Sequence, residues 1–271
     1  MGNLLTDDTR TVLRLTGADV RPFLQGIVTN DVGRLGPDRA LYAALLTPQG
    51  KYLFDFILVD AGDAVLLDVA SDGADQLAAR LGMYRLRRDV TIAPAGLSVV
   101  LAWPGGDWPA ADGALAVADP RHPDLGLRIY AADPAAVHAA LGGDPAPAAA
   151  YEALRIGLGV PARGSELIPG ESYILEAGFE RFRGVDFRKG CYVGQEVTAR
   201  MKHRAELRRG LARVAIHGDT PAAGSPVMAG DRAAGRICSA LGGRGIAQLR
   251  FDRADGPLTA GAARIEVLER L

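Results

Sequence analysis

Lys189, Gly190, Cys191, Tyr192, Val193, Gly194, Gln195 and Glu196 place one of the two cysteines of a 271-residue chain between a cation and a glycine-rich turn. The thiolate is the nucleophilic and metal-binding form of cysteine. A neighbouring ammonium group and the free N–H groups of a helix start both favour it. Lys189 supplies the first, and a helix opening at about Gly194 would supply the second. The local chemistry alone leaves a second reading open, because small thiols are often simply buried in a core.

Other kinds of chemistry find little footing. His122, His138, His203 and His217 are scattered without the spacing of a metal site. Ser165, Ser172 and Ser225 sit in no nucleophile elbow, and Gly157-Leu158-Gly159 follows a predicted helix where a dinucleotide fingerprint would open one. Cys191 and Cys238 cannot form a disulfide framework or hold an iron–sulfur cluster alone, although a single bridge between them stays open. A net charge of −1 argues against a surface built wholly for nucleic acid. Between Arg181 and Arg213, however, ten Arg and Lys residues face only Asp186, Glu196 and Glu206. That segment is either a solvated face or a site for an anion or a partner.

The elements that must position these residues are legible as an α+β pattern. Over 10–60 the chain reads as strand (11–15), short helix (18–25, with Pro22 in its first turn), strand (41–46), turn (47–50) and strand (52–59). A strand over 64–70 follows, then a helix with Leu77, Leu81 and Tyr84 on one face, for which Ser71 or Asp72 is the expected cap. Strands near 89–92, 97–102 and 127–130, a loop over 103–113 and a helix over 134–141 complete a ferredoxin-like layer. Residues 142–147 form the best linker candidate, and a helix restarts over 151–158. Alternating runs at 211–216, 235–239, 245–249 and 263–268 read as a small antiparallel barrel or sandwich. No run approaches the roughly 18 apolar residues of a membrane span. The first eight residues lack a basic and apolar leader, so a cytoplasmic location is expected.

Residues 189–196 resemble the signature of the YgfZ-type folate-binding proteins, relatives of the glycine-cleavage aminomethyltransferase (T-protein). Three further segments agree: 16–19 with 23–32, 46–51, and Val185-Asp186-Phe187. The resemblance spans nearly the whole chain and is weakest over 100–150. It implies a three-domain ring-like arrangement of the aminomethyltransferase type, with ferredoxin-like layers and a C-terminal small antiparallel β-barrel. The domains would be 1–50 plus 143–200 as a folate-binding core, 51–142 as a ferredoxin-like domain, and 201–271 as the barrel.

The resemblance further implies a tetrahydrofolate-binding protein that supports assembly, repair or maintenance of iron–sulfur enzymes, including those of tRNA modification. Cys191 would be its key reactive residue, as a redox-active thiol, a transient sulfur carrier or a transient cluster contact, with no intrinsic cluster or other metal. In that reading Lys189 lowers the thiol pKa, Gly190 and Gly194 permit the turn, Tyr192 belongs to the loop, and Gln195 and Glu196 orient it. Folate contacts are expected from Arg10, Asn30, Asp31, Tyr151 and Glu176, with Glu152 as a further carboxylate. Arg200, Lys202, Arg204, Arg208 and Arg209 suit the glutamate tail of folate through charge-assisted hydrogen bonds.

Three departures speak against transferase activity. Phe54-Asp55 stands where transferases have paired acids, Gly157 stands where they have a pterin-gripping glutamate, and Cys191 stands where they usually have an acid. A one-carbon transferase using Asp55 and an RNA or protein adaptor using 181–213 are the alternatives. Expected partners are folate and iron–sulfur client enzymes or assembly proteins, with nucleic acid ranked below them and no membrane.

Overall fold

In the computed structural model, which describes residues 2–203 and 207–271, the apolar runs of the first half of the chain form two five-stranded sheets. One sheet orders β3 (Leu41–Leu46), β4 (Tyr52–Asp60), β5 (Val65–Ala70), β2 (Arg10–Thr16) and β6 (Thr91–Pro94). β3 is buried along its whole length and β4 and β5 almost so, the continuous pattern of strands covered on both faces. The other sheet orders β10 (Asp144–Pro145), β1 (Asn3–Thr6), β7 (Ser98–Trp103), β9 (Leu127–Ala131) and β8 (Leu115–Ala118). It is mixed, because β10 runs parallel to β1 while the other pairs are antiparallel.

Each sheet draws strands from before and after residue 50: β2 pairs with β5 and β6, and β1 pairs with β7. Residues 142–147 do not serve as a free linker, since Asn3 and Leu4 pair with Asp144 and Pro145. Two apolar residues of β1 were too few to reveal that partner from sequence.

Helix α1 (Val20–Gln25) is short and buries Val20, Phe23 and Leu24. Helix α2 (Ala74–Arg85) buries Leu77 and Leu81 as expected, but its cap differs from expectation. Ser71 and Asp72 are taken into a 3-10 turn, Ser71–Gly73, and Gly73 becomes the cap without a side-chain bond. Helix α3 (Pro134–Leu141) starts on Asp133, whose Oδ1 accepts the N–H groups of Ala135 and Ala136. Its Val137 and Leu141 pack with Leu4, Val100, Ala102 and Ile129.

The chain separates into two units. One holds residues up to Leu46, Phe54–Ala148 and Phe182–Val193, and the other holds Thr47–Leu53, Ala149–Arg181 and the described part of Gly194–Leu271. The second unit contains most of helix α4 (Ala148–Leu158), helix α5 (Gln195–Lys202) and a closed six-stranded barrel. Its strands are β11 (Arg209–His217), β12 (Pro226–Ala229), β13 (Arg232–Leu241), β14 (Arg244–Arg250), β15 (Leu258–Ala260) and β16 (Ala263–Arg270), in the order β11-β14-β13-β12-β15-β16. Closure by the β11–β16 pair leaves no free edge. Inward residues recur every second position, as in Ala212, Val214 and Ile216 or Ala247 and Leu249.

Candidate functional site

The segment 23–32 and the signature stretch as far as Val193, with Val185-Asp186-Phe187 before it, lie in the same unit and are stitched together by hydrogen bonds. A helix as short as α1 leaves carbonyls at its C-terminal end that need donors. Lys189 supplies one: its Nζ donates to the carbonyl of Gln25, the last residue of α1, at 2.6 Å, and also to that of Val28, beyond the helix, at 2.5 Å. Gln25 answers with its side chain, whose Nε2 donates to the carbonyl of Lys189 at 3.1 Å and to Asp31 Oδ1 at 3.0 Å. Its Oε1 accepts the Val32 N–H at 2.8 Å, so the whole amide is engaged.

Thr29 and Asn30 continue the seam. The Thr29 hydroxyl donates to the Gly184 carbonyl at 2.6 Å and accepts the Ala44 N–H, while its own carbonyl accepts the Asp186 N–H. The Asn30 amide donates to the carbonyls of Tyr42 and Arg183 at 2.8 and 2.7 Å. Cys191 then stands exposed between two anchored neighbours. Lys189 is fastened to the end of α1, and Tyr192 is buried with its ring centre 5.1 Å from Lys189 Nζ. Gly190 and Gly194 both take positive φ, 92° and 83°, which suits glycine, and α5 opens directly after Gly194. Gln195 is the first residue of that helix, and Glu196 is spent on an exposed pair with Arg200.

The Lys189 ammonium meets two carbonyls and the face of the Tyr192 ring. Burial pulls the Lys189 pKa down from 10.5 to about 8, against the opposing charges of Asp31 and Asp186. The other cysteine is free as well, but buried in the barrel, where burial and the Glu166 charge push its thiol up to about 11. The bridge left open by the sequence is therefore not formed.

Several of the residues expected to meet folate have other partners in the structure. Arg10 Nε donates to Asp68 Oδ1 at 2.6 Å, deep in the first unit. Asn30 has given both amide protons to carbonyls, and Asp31 Oδ1 accepts Gly33 N–H as a turn cap. Within the second unit Tyr151 is buried on α4, and Glu176 is paired with Arg209 at 2.8 Å. Glu152 is gripped by both arms of Arg155, which also reaches Glu166 at 3.0 Å. Arg200 pairs with Glu196, Arg208 is exposed, Lys202 meets Glu180, and Arg204 lies outside the described residues.

Sequence reasoning missed Gln25 as a holder of the signature loop, although it stands within the segment 23–32. It also missed the buried network of Asp68, Arg128 and Asp119. The available signal there was a lone Asp in Val-Leu-Leu-Asp-Val-Ala and a lone Arg in Leu-Arg-Ile-Tyr-Ala, charges inside otherwise apolar strands.

Comparison with known proteins fits this architecture. The structure superposes on the glycine cleavage system aminomethyltransferase T from Bartonella henselae with a TM-score of 0.82, covering 100% of this chain and 85% of that one at 14% identity. That degree of identity establishes the fold alone. Residues 208–269, the barrel, match the family model of the CAF17 C-terminal β-barrel domain. Over 93% of its length the chain is 34% identical to the mouse mitochondrial iron–sulfur cluster assembly factor IBA57, covering 78% of that protein. The chain belongs to the IBA57 family of iron–sulfur cluster assembly factors.

The human IBA57 is 33% identical over the same shares, and the Neurospora crassa homologue is 32% identical over 74% of this chain and 51% of its own length. These relatives are named as mitochondrial proteins, which overturns the cytoplasmic location expected from the chain's first residues. A leader cannot be judged from a chain that covers only part of its relatives. Several of the side chains expected to meet folate have partners of their own in this structure. Glu152 and Glu176 are neutralised by arginines, and Gly157 offers no side chain.

Proposed function

We propose that this chain supports assembly, repair or maintenance of iron–sulfur enzymes with Cys191 as its reactive group, and that it does so as a binder of reduced folate. The observation that carries the reading is the exposed thiol of Cys191 between two fastened neighbours, Lys189 and Tyr192. A thiol so presented can meet a cluster on another protein while its backbone stays fixed. On contact the sulfur gives its proton to solvent and bonds to iron as thiolate. Cys238 is buried, so a cluster touching Cys191 takes its other ligands from a partner, an iron–sulfur assembly protein or a client enzyme.

Folate enters the proposal as a ligand without assigned contacts, because Arg10, Asn30, Glu176 and Arg200 among the expected side chains are already paired, and no step is routed through it. Its support is the resemblance to folate-binding relatives and the shared fold. The adaptor reading is disfavoured, since Arg181, Arg200, Lys202, Arg209 and Arg213 all have carboxylate partners. The transferase reading rests on Asp55, which is buried and accepts a hydrogen bond from the Tyr42 hydroxyl at 3.1 Å.

Two measurements test the two parts separately. Complementation of a strain lacking its own relative should succeed with the wild type and fail with Cys191→Ala; equal rescue removes the assigned role of the cysteine. Calorimetric titration with tetrahydrofolate should give saturable heat, and a flat titration removes folate while leaving the first part standing.

A further inference from the structure

Helix α2 ends in a turn that exposes side chains a fold ordinarily hides. The Arg88 N–H donates to the Arg85 carbonyl at 3.0 Å, closing a tight turn in which Leu86 is the second residue. Leu86 has φ 52° and ψ −115°, the backbone of the first central position of a type II′ turn, where glycine predominates. A leucine here accepts an unfavourable backbone and receives no burial in return, for it is 85% exposed. Met83, three residues earlier on the same edge of the helix, is 62% exposed.

Arginines surround this apolar pair. Arg80, Arg85, Arg87 and Arg88 flank it in sequence, and no ion pair with a carboxylate is found for them among the described residues. Arg85 bonds the Val90 carbonyl, and the Arg88 guanidinium lies 5.8 Å from the Phe23 ring. The adjacent acid, Asp89, turns its Oδ2 to the Ala18 N–H at 3.0 Å. Elsewhere in the same unit arginines such as Arg14, Arg21 and Arg34 do meet carboxylates, so this cluster is distinguished by lacking direct ion pairs.

We propose that the end of α2 is a docking surface for an acidic protein segment that places an apolar side chain among its carboxylates. Methionine and arginine are characteristic of protein interfaces, and the guanidinium fork pairs with carboxylates through two parallel bonds. Leu86 and Met83 supply the water-excluding centre, and the arginines supply the charged rim. Two apolar side chains are too small an anchor for a bilayer, which requires a whole apolar helix face. They also have no use against the phosphate backbone that dominates nucleic-acid binding. This docking surface stands independently of the role proposed for Cys191.

The test uses the full chain and a fluorescein-labelled synthetic peptide rich in Glu and Leu, read by anisotropy at about 50 mM and about 300 mM NaCl. Binding should appear at low salt and weaken at high salt. Arg85→Glu with Arg87→Glu should weaken it by roughly tenfold or more, the scale of losing charge-assisted pairs. Leu86→Gly should weaken it by roughly fivefold while leaving the melting temperature equal or higher, because glycine relieves the turn. That second variant separates lost contact from lost fold. No peptide binding, or binding indifferent to these substitutions, overturns the proposal. So does equal or tighter binding of phosphatidylserine vesicles or a single-stranded RNA with the same dependence on the variants.

Discussion

Lys189 and Gln25 hold each other reciprocally: the ammonium of Lys189 donates to the Gln25 carbonyl, and the Gln25 amide donates back to the Lys189 carbonyl. The pair joins segments separated by 164 positions, and it fastens the irregular stretch that carries Cys191 to the end of a helix. Gln25→Ala would remove the donor to Lys189 and the acceptor for the Val32 N–H. Leaving such groups unpaired costs about 1–3 kcal/mol each. The expected result is a lower melting temperature together with faster amide hydrogen exchange across 186–193. Unchanged exchange in that stretch would show that the loop is held by something else.

The same lysine gives stability an unusual pH dependence. Its folded pKa, about 8, lies below the ordinary 10.5 because burial disfavours the cation. Between those values the unfolded chain binds a proton that the folded chain does not, so stability rises with pH across this window. The burial penalty is therefore fully present below about pH 8 and relieved toward pH 10.5. Urea denaturation of wild type and Lys189→Met at pH 7 and pH 10 should show the stability difference shifting in favour of wild type at the higher pH. A shift of the opposite sign would contradict the assigned cause.

Thiol chemistry should distinguish the two cysteines cleanly. Cys191 is exposed, whereas Cys238 is buried with its pKa pushed up to about 11. Iodoacetamide at pH 8 should alkylate one site in the native protein and two in denaturant, and mass spectrometry should place the native label on Cys191. A native label on Cys238 would mean that the barrel opens.

Much of the scaffold was legible because it is periodic. The strand Leu41–Leu46 and the helix Pro134–Leu141 have the bounds that their apolar runs and proline suggest. The barrel strands follow their period-two alternation. Short strands such as Asn3–Thr6 and Leu115–Ala118 carry too few residues for a pattern and exist by pairing with longer neighbours. The seam of Gln25, Thr29, Asn30 and Lys189 was opaque for another reason. Residues 159–194 hold no helix or strand, and within them 183–189 are held by side-chain bonds that link distant segments through carbonyls. No local periodicity encodes such bonds, and only resemblance brought the two segments into view together. The ion pairs of Arg10 with Asp68 and of Glu152 with Arg155 were equally hidden, since chain position alone does not reveal them.

Gly157 marks a place where the chain is freer than its surroundings. It lies within α4, and a Cβ built there meets nothing within 4 Å. Gly157→Ala should stabilise the protein by about 1 kcal/mol, the ordinary difference between these residues in a helix. A raised urea midpoint with an unchanged slope would match that expectation. A lowered midpoint would mean that the open space at this position is used in the native protein.

The buried charges of the first unit should control its acid stability. Asp68, fully buried, accepts bonds from Arg10, Arg128 and the Tyr130 hydroxyl, and Arg128 reaches Asp119, itself paired with Arg121. Burial alone would raise both carboxyl pKa values. The arginine charges and hydrogen bonds outweigh it, holding Asp68 below 3.8 and Asp119 at about 2. The sign is then opposite to that of Lys189: the stabilisation is complete above pH 3.8 and is lost as pH falls toward 2. For Asp119 this amounts to about 2 kcal/mol. Asp119→Asn should be less stable at pH 6 and should lose less on acidification, as measured by urea unfolding at pH 6 and pH 2.5. Arg128→Met should be the more damaging change, by about 3–5 kcal/mol, because it strips a buried partner from two carboxylates at once. If Arg128→Met proved as stable as wild type at pH 6, the network would be neutral packing and the acid sensitivity would have to arise elsewhere.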